Sequence, residues 1–93
     1  MYYVYILYSE RHGKSYVGFT GNLEQRLLSH NVLSNKDWTK RYRPWVLVYR
    51  ETFSSKAVAM EREKFYKTGQ GRQFVKAKID EFLNRSSLGS YRP

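Results

Sequence analysis

Tyrosine, arginine, histidine and a carboxylate recur along this chain at spacings that suit phosphate chemistry. Tyr5 and Tyr16 flank a short polar segment, Arg26 and His30 follow four residues apart, and Glu63 lies in a basic, aromatic stretch. An arginine fork can clamp a phosphate through two parallel hydrogen bonds. A lone carboxylate can hold Mg2+, with waters and phosphate completing its shell. Each residue also has a plainer role. Tyrosines fill cores, a snorkelling Arg26 and a solvated His30 are common on helices, and Glu63 can pair with Lys67 at i,i+4. Spacing alone does not separate the two. The chain has no P-loop, no Gly-rich dinucleotide loop, no HExxH and no nucleophile elbow. With no cysteine, a disulfide scaffold and a thiolate zinc site are excluded, and two histidines are too few for a His-rich cage.

Seventeen Lys and Arg against eight Asp and Glu leave a net charge of +9 on 93 residues. That balance argues for a polyanionic partner, the plainer alternative being a charge that keeps a small protein soluble. Lys36, Lys40, Arg41 and Arg43 interleave with Trp38 and Tyr42, and Lys64, Lys67, Arg72, Lys76 and Lys78 form a second cationic group. Cations alternating with rings suit tracking of a nucleic-acid backbone and stacking on bases. No segment reaches the apolar length of a membrane span. Tyr2–Tyr8 is too short for a signal-peptide core and no basic residue precedes it. A cytoplasmic location is therefore expected.

The length fits one small domain, over 1–85, with 86–93 a flexible polar tail. Tyr2–Tyr8 is a run of β-branched and aromatic residues apolar on both faces, which predicts a central strand. Ser9–Lys14 reads as a hairpin loop and Ser15–Thr20 as the second strand. Symmetric closure of that loop is expected to set Tyr5 opposite Tyr16 and Tyr3 opposite Gly18. Asn22 and Gln25 form a capping pair for a helix over Leu23–Asn31. Residues 32–44 read as a loop, with a helical turn near Trp38, and Trp45–Phe53 as the third strand. Ser54-Ser55 cap a helix over Lys56–Lys67 that stops at Thr68-Gly69, and Arg72–Asn84 forms a last helix. The order ββαβαα predicts an α+β domain: a three-stranded antiparallel sheet, order 2-1-3, flanked by helices.

Taken together, these positions resemble the GIY-YIG nuclease superfamily. Tyr5, in Tyr3-Val4-Tyr5, matches the tyrosine that ends the first motif, and Tyr16-Val17-Gly18 matches the second. Arg26 falls ten residues after Tyr16, His30 four residues later, and Glu63 lies within Arg62-Glu63-Lys64-Phe65-Tyr66, as the family's metal-binding glutamate does. The resemblance favours Glu63 over Glu61. It spans about residues 3–67, and Thr39–Tyr49 is also similar to small single-domain bacterial members. Tyr3 stands where the first motif has its glycine, with Gly18 expected to accommodate it.

The resemblance implies metal-dependent hydrolysis of phosphodiester bonds, most naturally in DNA. In that reading Tyr5 is the general base with its proton affinity lowered by nearby cations, and Tyr16 orients the water or supports Tyr5. Arg26 binds the phosphate, His30 assists proton transfer or hydrogen bonding, and Glu63 holds one Mg2+ or another divalent cation. A nucleic-acid binder that turns over nothing is the alternative from another class. A basic adaptor for an acidic protein is a third. Tyr5, Tyr16, Arg26 and Glu63 are expected to converge on one shallow concave surface.

Overall fold

The structure is a computed structural model and describes residues 1–33 and 40–90. Three antiparallel strands, β1 (Tyr2–Ser9), β2 (Lys14–Thr20) and β3 (Val46–Phe53), form one sheet in the order β2-β1-β3. Helix α1 (Leu23–Leu28) runs into a wider π-helical turn, Ser29–Leu33, and α2 (Lys56–Phe65) and α3 (Gly69–Ser90) follow β3. This is the α+β architecture and strand order expected from the sequence.

Central β1 separates two apolar layers because its side chains alternate. Val4 and Ile6 face Ala59, Tyr66, Val75 and Ile79 of the α2–α3 segment. Tyr5 and Leu7 face Leu23 of α1 and Trp45, with Tyr3, Tyr16 and Leu27 packed around them. Opposite Ile6 and Leu7, β3 carries a bulge: Ile6 pairs with Tyr49 and Leu7 with Leu47. The extra residue lets Val48 and Tyr49 both join the helix-covered layer and returns Leu47 to the tyrosine layer.

The hairpin register differs from the expectation by two residues. Tyr5 pairs with Gly18, Leu7 with Tyr16, and Tyr3 with Thr20. The strands continue to a last pair, Ser9 with Lys14, and the Ser9 carbonyl accepts from the backbone N–H groups of His12 and Gly13. Gly13 takes a φ of 65° to close this loop, a conformation that costs glycine little. A two-residue shift keeps every side chain on its expected face.

Local capping sets the helix starts. Asn22 Oδ1 accepts from Gln25 N at 3.1 Å and Ser55 Oγ from Val58 N at 3.4 Å. Thr68 does more than end α2. Its hydroxyl donates to the Phe65 carbonyl at 2.6 Å and accepts from Gly71 N at 3.2 Å, so α3 starts at Gly69 rather than Arg72. A Cβ at Gly71 would run into the Phe65 carbonyl and the Tyr66 backbone, so glycine lets the two helices meet closely. α3 continues to Ser90, beyond the expected end at Asn84.

Candidate active site

Tyr5 sits at the centre of the tyrosine layer with no exposed surface. Its ring lies over Gly18: a Cβ built there would stand 2.6 Å from the Tyr5 hydroxyl and 2.8 Å from Cζ. Gly18 therefore makes room for Tyr5, its cross-strand partner, and not for Tyr3 as expected. The Tyr16 ring stacks beside Tyr5 at 6.3 Å between centroids and meets His30 edge-on at 4.6 Å.

His30 comes from the π turn and is 5% exposed, with Nε2 3.1 Å from the Tyr5 hydroxyl. Residues distant in sequence hold that turn. Arg43 Nε donates to the His30 carbonyl at 2.7 Å. Asn31 Oδ1 accepts from Trp45 N at 2.7 Å, while its Nδ2 donates to the Trp45 carbonyl at 3.1 Å. The clamp joins residues 14 apart across the 32–44 segment, so no local pattern announces it.

Arg26, on the exposed side of α1, brings its guanidinium to the Tyr5 hydroxyl, with Tyr16 beside it. Hydrogen bonding to Tyr5, partly opposed by burial, raises the Arg26 pKa and holds the group charged. Burial pushes Tyr5 up to about 12; Arg26 opposes the rise, while Tyr16 and Glu63 add to it. The expected lowering of Tyr5 proton affinity is not found: Arg26 pulls it down, but desolvation outweighs that pull and the net change is a rise.

Although α2 packs on the other face of the sheet, the Glu63 carboxylate is near enough for its charge to act on Tyr5. It also accepts from Lys67 Nζ at 3.4 Å, so the i,i+4 pair forms as well. Glu61 is exposed. No group of three or more His, Cys, Asp or Glu is placed to share a metal ion among the described residues. One hard oxygen donor, 21% exposed and close enough for its charge to act on Tyr5, fits a Mg2+ ion that keeps most of its waters. Lys67 already supplies positive charge there, so ion binding competes with that pair.

The basic residues divide. Lys36 and Trp38 lie outside the described residues. Lys40, Arg41, Lys64 and Arg72 are exposed. Tyr42 is half-buried, with Lys14 Nζ 5.5 Å from its ring centre and the His12 ring against it. Arg43 turns inward to the Ser29–His30 carbonyls, and Lys67 to Glu63. A cavity of about 680 Å3 lies beyond Tyr16, between β2 and α3, rather than over Tyr5.

A second polar cluster, not foreseen from the sequence, ties α2 to β3. Arg62 donates to both oxygens of Glu51, at 3.0 and 3.3 Å, and its guanidinium carbon lies 4.8 Å from the Tyr66 ring centre. Tyr49 donates to the same carboxylate at 3.0 Å. The Arg–Glu fork spans eleven residues, beyond the reach of helix-periodicity arguments.

Residues 1–76 match the GIY-YIG catalytic domain. The chain belongs to the GIY-YIG family. Among relatives, a UPF0213 protein of Staphylococcus haemolyticus is 44% identical over 75 residues, 81% of this chain and 90% of that one. Another, from Limosilactobacillus reuteri, is 35% identical over 89 residues, 94% of this chain and 92% of that one. The solution NMR structure of a UPF0213 protein from Bacillus halodurans superposes with a TM-score of 0.56 at 29% identity, covering 98% of this GIY-YIG chain and all of the other. No helix among the described residues is long and apolar enough to cross a membrane.

Proposed function

We propose that this GIY-YIG protein is a metal-dependent endonuclease that hydrolyses phosphodiester bonds in DNA. The observation that carries this reading is the Tyr5 hydroxyl, held between His30 Nε2 and the Arg26 guanidinium, within the field of Glu63. A core tyrosine needs none of the three.

A phenol at about 12 is protonated at neutral pH, so Tyr5 can take a proton only as it gives one away. With His30 protonated at Nδ1, Tyr5 O–H donates to Nε2. As the attacking water passes its proton to the Tyr5 oxygen, the phenolic proton moves to His30. The water oxygen bonds to phosphorus and the P–O3′ bond breaks, its electron pair leaving on the 3′-oxygen, which takes a proton from solvent. Arg26 binds the non-bridging oxygens and steadies their growing charge. Tyr16, stacked beside Tyr5 and edge-on to His30, keeps the pair aligned and orients the water. A Mg2+ held by Glu63 would supply charge neutralisation at the departing oxygen. Lys40, Arg41, Tyr42, Lys64 and Arg72, with Lys36, Trp38 and Lys67, contact the nucleic acid, while Arg43 holds the Ser29–His30 turn. A cytoplasmic location belongs to the same reading.

Burial of the Tyr5 phenol is the one observation that favours a nucleic-acid binder without turnover. Linear, branched and single-stranded DNA incubated with Mg2+, beside a Glu63→Ala protein, separates the two. Cleavage that Glu63→Ala abolishes supports the nuclease; binding without cleavage of any substrate supports the binder.

A further inference from the structure

The cavity between β2 and α3 is unused by the reaction described above. Its floor is apolar, from Val17 on the sheet and Val75 and Ile79 on α3, all half-buried or buried. Lys67, Arg72 and Lys76 stand along its rim, against one carboxylate, Asp80. Two residues join it to the candidate active site. Tyr16 lines the groove and its ring stacks beside Tyr5, and Lys67 lines the groove while bonding Glu63. A volume of about 680 Å3 is within the range of small-ligand pockets, roughly 300–1,000 Å3.

An apolar floor under a cationic rim complements a nucleotide: a flat base with an anionic backbone. Because Lys67 pairs with Glu63 and Tyr16 stacks beside Tyr5, a nucleotide held in the groove is a neighbour of the scissile phosphate on the cut strand. A base locked in a base pair cannot lay its face on a floor between a sheet edge and a helix. An unpaired base can.

We infer that the groove between β2 and α3 seats an unpaired nucleotide of the substrate strand next to the cleaved phosphodiester. This rests on the nuclease reading and narrows its substrate to DNA with at least one unpaired nucleotide beside the cut. Lys67, Arg72 and Lys76 hold its phosphates, and Tyr16 marks the passage from groove to reaction centre.

The test is fluorescence anisotropy without divalent metal, using a continuous duplex and the same duplex with a short single-stranded gap. The gapped DNA should bind about tenfold more tightly. Ser15→Trp, at an exposed rim position, should fill the groove, abolish that preference and leave affinity for the continuous duplex unchanged. Lys76→Glu should weaken gapped DNA more than Lys56→Glu, the same charge change at an exposed site outside the groove. If Ser15→Trp does not fold, methyl NMR of the wild type decides: gapped DNA should shift Val17, Val75 and Ile79. Equal wild-type affinity for the two DNAs, or methyl signals that stay still, overturns the inference. Adding Mg2+ to the same samples separates it from the parent reading. Cleavage without gap preference overturns the groove alone, and gap preference without cleavage overturns the nuclease alone.

Discussion

The Tyr5 ring occupies the space that any side chain at Gly18, its partner on β2, would need. Gly18→Ala therefore sets a methyl group 2.6 Å from the Tyr5 hydroxyl, and a fully buried ring has little room to yield. The substitution should cost about 1–3 kcal/mol in overpacking. It should also lengthen the Tyr5–His30 hydrogen bond. Thermal unfolding checks the first effect, and the His30 ring NMR signals check the second. A variant as stable as the wild type with unmoved signals contradicts both.

Tyr5 also imposes a pH dependence on stability. Its pKa rises from 10.0 to about 12 on folding. Between those values the unfolded chain releases the proton while the native state keeps it, so stability falls as pH rises through that window. Tyr5→Phe should remove this part of the slope, leaving the contribution of Tyr66, which burial also raises. Urea midpoints for both proteins between neutral and alkaline pH provide the measurement. Parallel curves would refute the assignment.

Arg26→Lys keeps the charge beside Tyr5 and loses the planar fork. Cleavage should drop at least tenfold, on the order of 1.4 kcal/mol in barrier. DNA affinity should hardly change, because the other cations dominate it. Equal activity would remove Arg26 from the phosphate-binding role.

For Glu63→Gln, metal ligand and ion-pair partner lead to opposite outcomes. Loss of the Lys67 bridge alone costs about 0–1 kcal/mol, since Lys67 is largely exposed. If Glu63 holds Mg2+, cleavage should vanish while metal-free DNA binding stays equal or tightens slightly. Wild-type cutting rates in the variant would remove Glu63 from the metal site.

Glu51 holds α2 against β3 through Arg62, and its titration reports on that bond. Burial opposes its ionisation, but hydrogen bonds led by Arg62 outweigh this and leave the pKa below 4.5. Its contribution is complete above the ordinary carboxylate pKa and is lost as pH falls through the folded value. Glu51→Gln should lower stability at neutral pH by about 1–3 kcal/mol and flatten the acid limb of the unfolding curve. An unchanged acid limb would count against the pairing.

Several elements of this fold follow from local chemistry. The apolar run Tyr2–Tyr8 dictates a strand covered on both faces, and Asn22 and Ser55 mark helix starts through side-chain oxygens that satisfy the first free N–H groups. The order of tyrosines, Arg26, His30 and Glu63 was also legible, because side-chain identity and spacing belong to the sequence.

Only the tertiary structure decided the pairing and the fields. Whether Gly18 faces Tyr3 or Tyr5 depends on how many residues the hairpin loop leaves unpaired, and either register keeps the same side chains inward. Arg43, Asn31 and Trp45 fix His30, and Glu51 fixes Arg62, across gaps that no helical or strand period spans. The pKa of Tyr5 was least legible of all. Burial raises it and a guanidinium lowers it, and the balance depends on how far the folded chain excludes water from that hydroxyl.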